Sequence, residues 1–354
     1  GWLIRSIHSW AATLMVAFCV AHTLRVYITG SYKNPRELNW VAGVFLLLLT
    51  LAFGFTGYLL PWDQVAYWAI TISTSMLDYL PGVGTTLKEW VLGGTEPGPG
   101  TLVNFYAIHT AVLPAILLIA LPFHFWRIRK AGGLVIPRTA EEDSDTRGEM
   151  VDTLPHLIVR EAAMAIVVIA AILIVAMFFN APLAEQANPG LSPNPTKAPW
   201  YFMGIQELLM HFHPVFAILV IPLALLLGLI SIPYLRYEIN SSGVWFVSRK
   251  GLTMVLIAAF VAILGTVSAV MMDEFVIAEG PIGPPDMINA GLLPVAVIVA
   301  LCAGFYVLMK KGFKASNNEA IQALFTLLTV AFVVLTVIGI WFRGTGMQLI
   351  WAGW

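Results

Sequence analysis

Residues 2–28 read WLIRSIHSWAATLMVAFCVAHTLRVYI, an apolar run interrupted by two histidines, His8 and His22. Crossing a bilayer takes ~20 predominantly apolar residues in helical form, and this run is long enough. An imidazole inside that layer is expensive and usually functional. Fourteen helical steps at ~100° each return to within about 40° of the start, so His8 and His22 share one broad face, about 21 Å apart along the axis. The run 102–126 repeats the pattern with His109 and His124, fifteen residues apart. Fifteen steps overshoot by about 60°, so this pair also lies broadly on one face. A single intramembrane histidine could be satisfied by its neighbours, but four at two matched depths are hard to place as accidents. Two levels of two imidazoles, each pair drawn from two helices, can hold two bis-histidine haems stacked across a bilayer.

The rest of the chain supports a membrane setting. Of 354 residues 59% are hydrophobic and 11% charged, where a soluble domain carries about 25% charged residues. Eight apolar stretches stand out, at 2–28, 39–60, 102–126, 157–179, 214–235, 252–272, 291–309 and 321–342. The fold class is therefore an all-α integral membrane protein of about eight transmembrane helices, and a soluble enzyme, a disulfide scaffold and a disordered chain are excluded. Proline and glycine punctuate the ends, with long loops at 181–199 and 279–290 and one polar linker at 131–156. The parts are expected as 1–130, a dihaem-binding region of three spans; 131–156, the linker; 157–272; and 273–354, two additional spans. No signal peptide is read at the start.

Basic residues set the orientation. Fifteen of the 19 Lys and Arg fall on the cytoplasm-like (n) side, and Arg5, Lys88, Lys197 and Arg343 on the opposite (p) side. A formal net charge of −1 offers no basic face for nucleic acid. Cys19 and Cys302 lie in apolar runs and read as small hydrophobes. With no Cys-x-x-Cys-His, no c-type haem is expected on this chain.

Further residues match the two-level pattern. Gly43 and Gly57 on the intervening span are again fourteen apart, and glycine leaves room for a flat macrocycle close to the backbone. Arg5 and Arg25 each stand three residues from a histidine, within reach of a propionate carboxylate.

The segments Gly1-Trp2-Leu3-Ile4-Arg5-Ser6-Ile7-His8, Arg25-Val26-Tyr27-Ile28-Thr29-Gly30 and Gly57-Tyr58-Leu59-Leu60-Pro61-Trp62-Asp63-Gln64 resemble cytochrome b of cytochrome bc complexes. The run Lys33-Asn34-Pro35-Arg36-Glu37-Leu38 and the fifteen-residue second spacing are closer to the photosynthetic bf-type branch. The resemblance covers nearly all of 1–272, while 273–354 match only loosely. It implies a p-side haem on His8 and His109 and an n-side haem on His22 and His124. It also implies a place for Arg129 beside an n-side quinone site. A further helix before residue 1 would complete the haem bundle, and in the bf-type branch that helix carries a cysteine holding an extra n-side haem. The part after the linker resembles the bf-type subunit IV, fused here to the haem-binding part.

The implied function is that of the cytochrome b subunit of a quinol:cytochrome c-type oxidoreductase. Quinol would be oxidised on the p side between 61–80 and 199–207, quinone reduced on the n side, and a proton gradient built. The implied partners are a Rieske iron–sulfur protein, a c-type cytochrome, quinone, the lipid bilayer and a second copy of the complex. The implied setting is an energy-transducing membrane such as the bacterial inner membrane. The family's Pro-Glu-Trp-Tyr motif reads Ala198-Pro199-Trp200-Tyr201 here, and Pro199 cannot take a proton. Glu207 is the expected substitute as proton acceptor, its pKa raised by apolar surroundings. His211 and His213 read as loop or interface residues, and Arg343 to Trp354 as an interfacial anchor. The alternatives are a dihaem anchor of a dehydrogenase with one quinone site, and a haem-free transporter.

Overall fold

The computed structural model describes residues 1–139, 152–239, 241–277 and 286–350. Arg147, Glu279, Trp351 and Trp354 lie outside them, as do parts of the 131–156 linker and the 279–290 loop. The chain runs through α1 (Trp2–Ile28), α2 (Glu37–Leu59), α3 (Gln64–Ser75), α4 (Gly84–Leu92), α5 (Pro99–Lys130) and α6 (Thr153–Phe178). It continues through α7 (Trp200–His211), α8 (Phe216–Tyr234), α9 (Arg249–Phe275), α10 (Ile288–Gly312) and α11 (Asn317–Trp341). Eight of these helices are long and apolar enough to cross a membrane, and they coincide with the eight expected stretches to within a few residues. The short α3, α4 and α7 sit between spans at the p end. Among the described residues there is no strand longer than an isolated bridge.

Local chemistry marks the boundaries. Asp63 caps α3 by accepting from the Ala66 amide at 2.9 Å. Ser316 and Glu319 form a reciprocal capping box at the start of α11. Gly93, at φ 67°, closes α4 in the left-handed conformation that glycine adopts without strain.

α2 packs between α1 and α5, which places its glycines beside the histidine-bearing faces. The last span, α11, is central to the molecule. It packs along α9 and α7, and Gly204 and Gly339 permit close approach to Phe332 and Met203. Phe325 of α11 stacks on Tyr27 of α1 at 3.8 Å, and Gln322 donates to the Ile28 carbonyl at 2.9 Å. Small residues Ala258, Ala315, Ala320 and Ala323 fill the α9–α10–α11 core. α6 packs along α1 and leaves most of its apolar side chains exposed. Such surfaces suit lipid, where outward apolar residues carry no cost.

Candidate haem and quinone sites

His8 on α1 and His109 on α5 face each other on the p side, ring centroids 6.2 Å apart and planes crossed at 86°. A metal bound between two imidazole nitrogens at about 2 Å each, with the ring radii added, needs centroids roughly 6 Å apart, so this pair is already at ligating separation. The backbone accommodates the longer spacing on α5. Residues Ile108–Val112 form a π-turn just ahead of Pro114, which has no amide to donate. One extra residue in a wide turn cancels most of the 60° overshoot, so His109 and His124 come onto a common face. α2 makes room for both rings: a Cβ on Gly57 would stand 2.6 Å from His109 Cε1, and one on Gly43 3.4 Å from His124 Cε1.

On the n side, His22 and His124 border a cavity of about 430 Å³, lined also by Gly43, Arg25, Arg36 and Asn39. His124 Nδ1 and Asn39 Oδ1 are buried there without partners. Arg36 donates to the Gly133 carbonyl at 2.9 Å, tying the start of α2 to the end of α5. Two facing imidazoles at the p level, and at the n level two histidines that border one cavity, each with a glycine that leaves room for the α5 ring, fit a bis-imidazole macrocycle.

The expected anionic-group ligands divide. Arg25 lines the n-side cavity, whereas Arg5 donates to the carbonyls of Ala181 (2.8 Å) and Pro182 (3.2 Å) and so holds the 181–191 loop. Arg129 is exposed at the end of α5 and does not border the cavity.

The p-side loops are brought together. Asp63 Oδ2 accepts from the Ala184 amide at 2.9 Å, and Gln64 Oε1 from the Asn188 amide at 2.6 Å, so the Trp62-Asp63-Gln64 turn clamps the loop after α6. Gln206 reaches back to Thr196 and Ala198, fixing the approach to Pro199, which precedes α7. Tyr201 lies against Gly54 of α2 and donates to its carbonyl at 3.2 Å. Trp200 is partly exposed beside it, with ring centroids 5.5 Å apart.

Glu207 departs from expectation. It is fully buried and pairs with Arg343, Nη2 to Oε1 at 2.6 Å and Nε to Oε2 at 3.2 Å. His211 Nε2 lies 3.3 Å from Glu207 Oε1, and its Nδ1 2.6 Å from Asp273. Burial alone would raise the Glu207 pKa, but the hydrogen bonds of His211 and Arg343 outweigh it and hold the carboxyl below its ordinary value. The expected upward shift is therefore corrected: Glu207 is a firmly ionised partner in an ion cluster. His211 is likewise more than a loop residue. Burial opposes its protonation, yet bonds to Asp273 and Glu207 raise its pKa to about 9. Arg343 is corrected from interfacial anchor to the centre of this cluster, 1% exposed and bonded also to Glu274 at 2.9 Å. His213 is buried against Tyr79.

The fold and these sites define a helical membrane protein with paired histidines set at two depths. The family model "Cytochrome b(N-terminal)/b6/petB" matches residues 13–195, and the chain belongs to this cytochrome b family. Curated relatives include cytochrome b6 of Porphyra purpurea and of Chlamydomonas reinhardtii, each 52% identical over 132 residues, 37% of this chain and 61% of theirs. Cytochrome b6 of Cyanothece sp. is 51% identical over 132 residues, 37% of this chain and 60% of its own. The chain thus spans about three fifths of the length of these relatives. A solved chain titled "Hyperthermophilic respiratory Complex III" superposes with a TM-score of 0.63 at 23% identity, covering 96% of this chain and 79% of that one. The shared fold therefore extends through the last two spans, where resemblance in sequence is loose.

Proposed function

We propose that this chain is the cytochrome b subunit of a quinol:cytochrome c-type oxidoreductase, holding one b-type haem between His8 and His109 and a second between His22 and His124. The observation that carries this reading is the facing of His8 and His109 at 6.2 Å, with Gly57 leaving room for the His109 ring and His22 and His124 bordering one cavity at the other level. Bound haem supplies one-electron redox chemistry at each depth. The chain's own residues orient the imidazoles and leave a cavity beside the n level. Quinol is oxidised on the p side, where Pro199, Trp200 and Tyr201 meet α2 and the 61–80 segment. Quinone is reduced at the n-side cavity, with Arg25 at its edge to neutralise anionic oxygen. A Rieske iron–sulfur protein takes one electron of each quinol, a c-type cytochrome follows it, and the complex is a dimer in an energy-transducing membrane such as the bacterial inner membrane.

The test is purification from native membranes with assay of quinol-dependent cytochrome c reduction. Copurification of a Rieske protein with that activity is expected. A dehydrogenase in its place, with no cytochrome c reduction, would establish the anchor reading instead.

A further inference from the structure

The two levels are built alike with one difference. On α2 the residue before Gly57 is Thr56, and the residue before Gly43 is Ala42. Thr56 is 6% exposed, and its Oγ1 lies 2.9 Å from His109 Nδ1. The same oxygen sits 2.8 Å from the Ala52 carbonyl and 3.3 Å from that of Phe53. A hydroxyl has one proton, and a carbonyl oxygen can only accept. The Thr56 proton therefore goes to the carbonyls, and Oγ1 meets the imidazole with a lone pair. It follows that His109 carries its proton on Nδ1 and keeps the lone pair of Nε2 free for a metal. A backbone carbonyl lies beside each ring, Phe53 at His109 and Asn39 at His124; one level down Ala42 has no hydroxyl, so the Thr56 side chain is the acceptor that the p level has in addition.

We propose that Thr56 is a positioning residue: it fixes the metal-binding tautomer of His109 and, by accepting from Nδ1–H, sets the p level at a lower redox potential than the n level. The proposal rests on the haem reading above. An acceptor on the distal N–H makes an imidazole a more basic ligand and favours the oxidised metal. With a hydroxyl acceptor added at one level and absent at the other, an electron entering on the p side moves downhill toward the n side. A hydrogen bond of ordinary net strength, about 1 kcal/mol, corresponds to about a fivefold bias in the electron's distribution between the levels.

The experiment is an optical redox titration of the b haems in the intact membrane complex, with haem content per chain measured on the same samples. In Thr56→Val the lower midpoint rises, the higher stays in place, and the distribution changes about fivefold. Thr56→Ser retains the original values, and Ala42→Ser moves the higher midpoint down. Two haems per chain with neither midpoint altered in Thr56→Val, or movement of the higher midpoint alone, would overturn the role of Thr56. Fewer than two haems in the unaltered complex would overturn the haem reading itself, and the two failures are thereby distinguished.

Discussion

The p half and the n half of this bundle solve the same problem under different constraints. On the p side His8 and His109 already stand at ligating separation, Thr56 locks one ring, and the cationic side chains are committed. Arg5 holds loop carbonyls, Lys88 pairs with Asp78 at 2.6 Å, Lys197 donates to the Ile340 carbonyl at 2.8 Å, and Arg343 sits in its ion cluster. On the n side, His22 and His124 open on a cavity with unpartnered polar atoms, and Arg25 and Arg36 line it. The contrast shows how one helix set can hold two imidazoles at ligating separation at one depth and leave a cavity beside the pair at the other. A site that exchanges ligand needs such room.

The largest expected effect tests the p-side lock. Arg343→Met leaves the buried Glu207 with His211 alone as partner and takes the cation from Glu274, a loss of about 3–5 kcal/mol. A thermal melt of the detergent-solubilised complex should show a clearly lower transition. A melt unchanged from wild type would mean that the cluster does not hold α7 to the end of α11.

Next in size is Gly57→Ala. Its new methyl would stand 2.6 Å from the His109 ring, so the ring must shift, and overpacking of this kind costs about 1–3 kcal/mol. Haem content should fall toward one per chain. Gly43→Ala makes an ordinary contact at 3.4 Å and should keep full haem content. Equal loss in both variants would remove the distinction between a tight p level and a loose n level.

A smaller effect follows from titration. The His211 pKa is raised from 6.5 to about 9, so its contribution to stability is complete below pH 6.5 and fades as pH rises through about 9. The Glu207 pKa is lowered from 4.5, so its contribution is present above that value and fades as pH falls through the depressed one. The melting temperature should decline between about pH 7 and pH 9, and less steeply in His211→Gln. Parallel declines in the two proteins would contradict the bridging role of His211.

The histidine-bearing helices were legible because helical period is local arithmetic. His8, His22, His109, His124, Gly43 and Gly57 declare a two-level face without knowledge of any neighbour. Even the odd fifteenth residue had a local sign, since Pro114 favours the wide turn that absorbs it. The ion cluster was not legible: Glu207 and Arg343 are 136 positions apart, and nothing near Arg343 marks it as buried. Thr56 lay between the two. Its place before Gly57 was visible, but its proton could be assigned only once the Ala52 carbonyl and the His109 ring were seen together.

The most direct test of the two-level account is haem content per chain by pyridine haemochromogen, measured for the unaltered complex and for His109→Leu and His124→Leu. Two b haems in the unaltered protein and one in each variant are predicted, with the lower-potential haem missing from His109→Leu. One haem in the unaltered protein, or two retained after loss of either histidine, would contradict it.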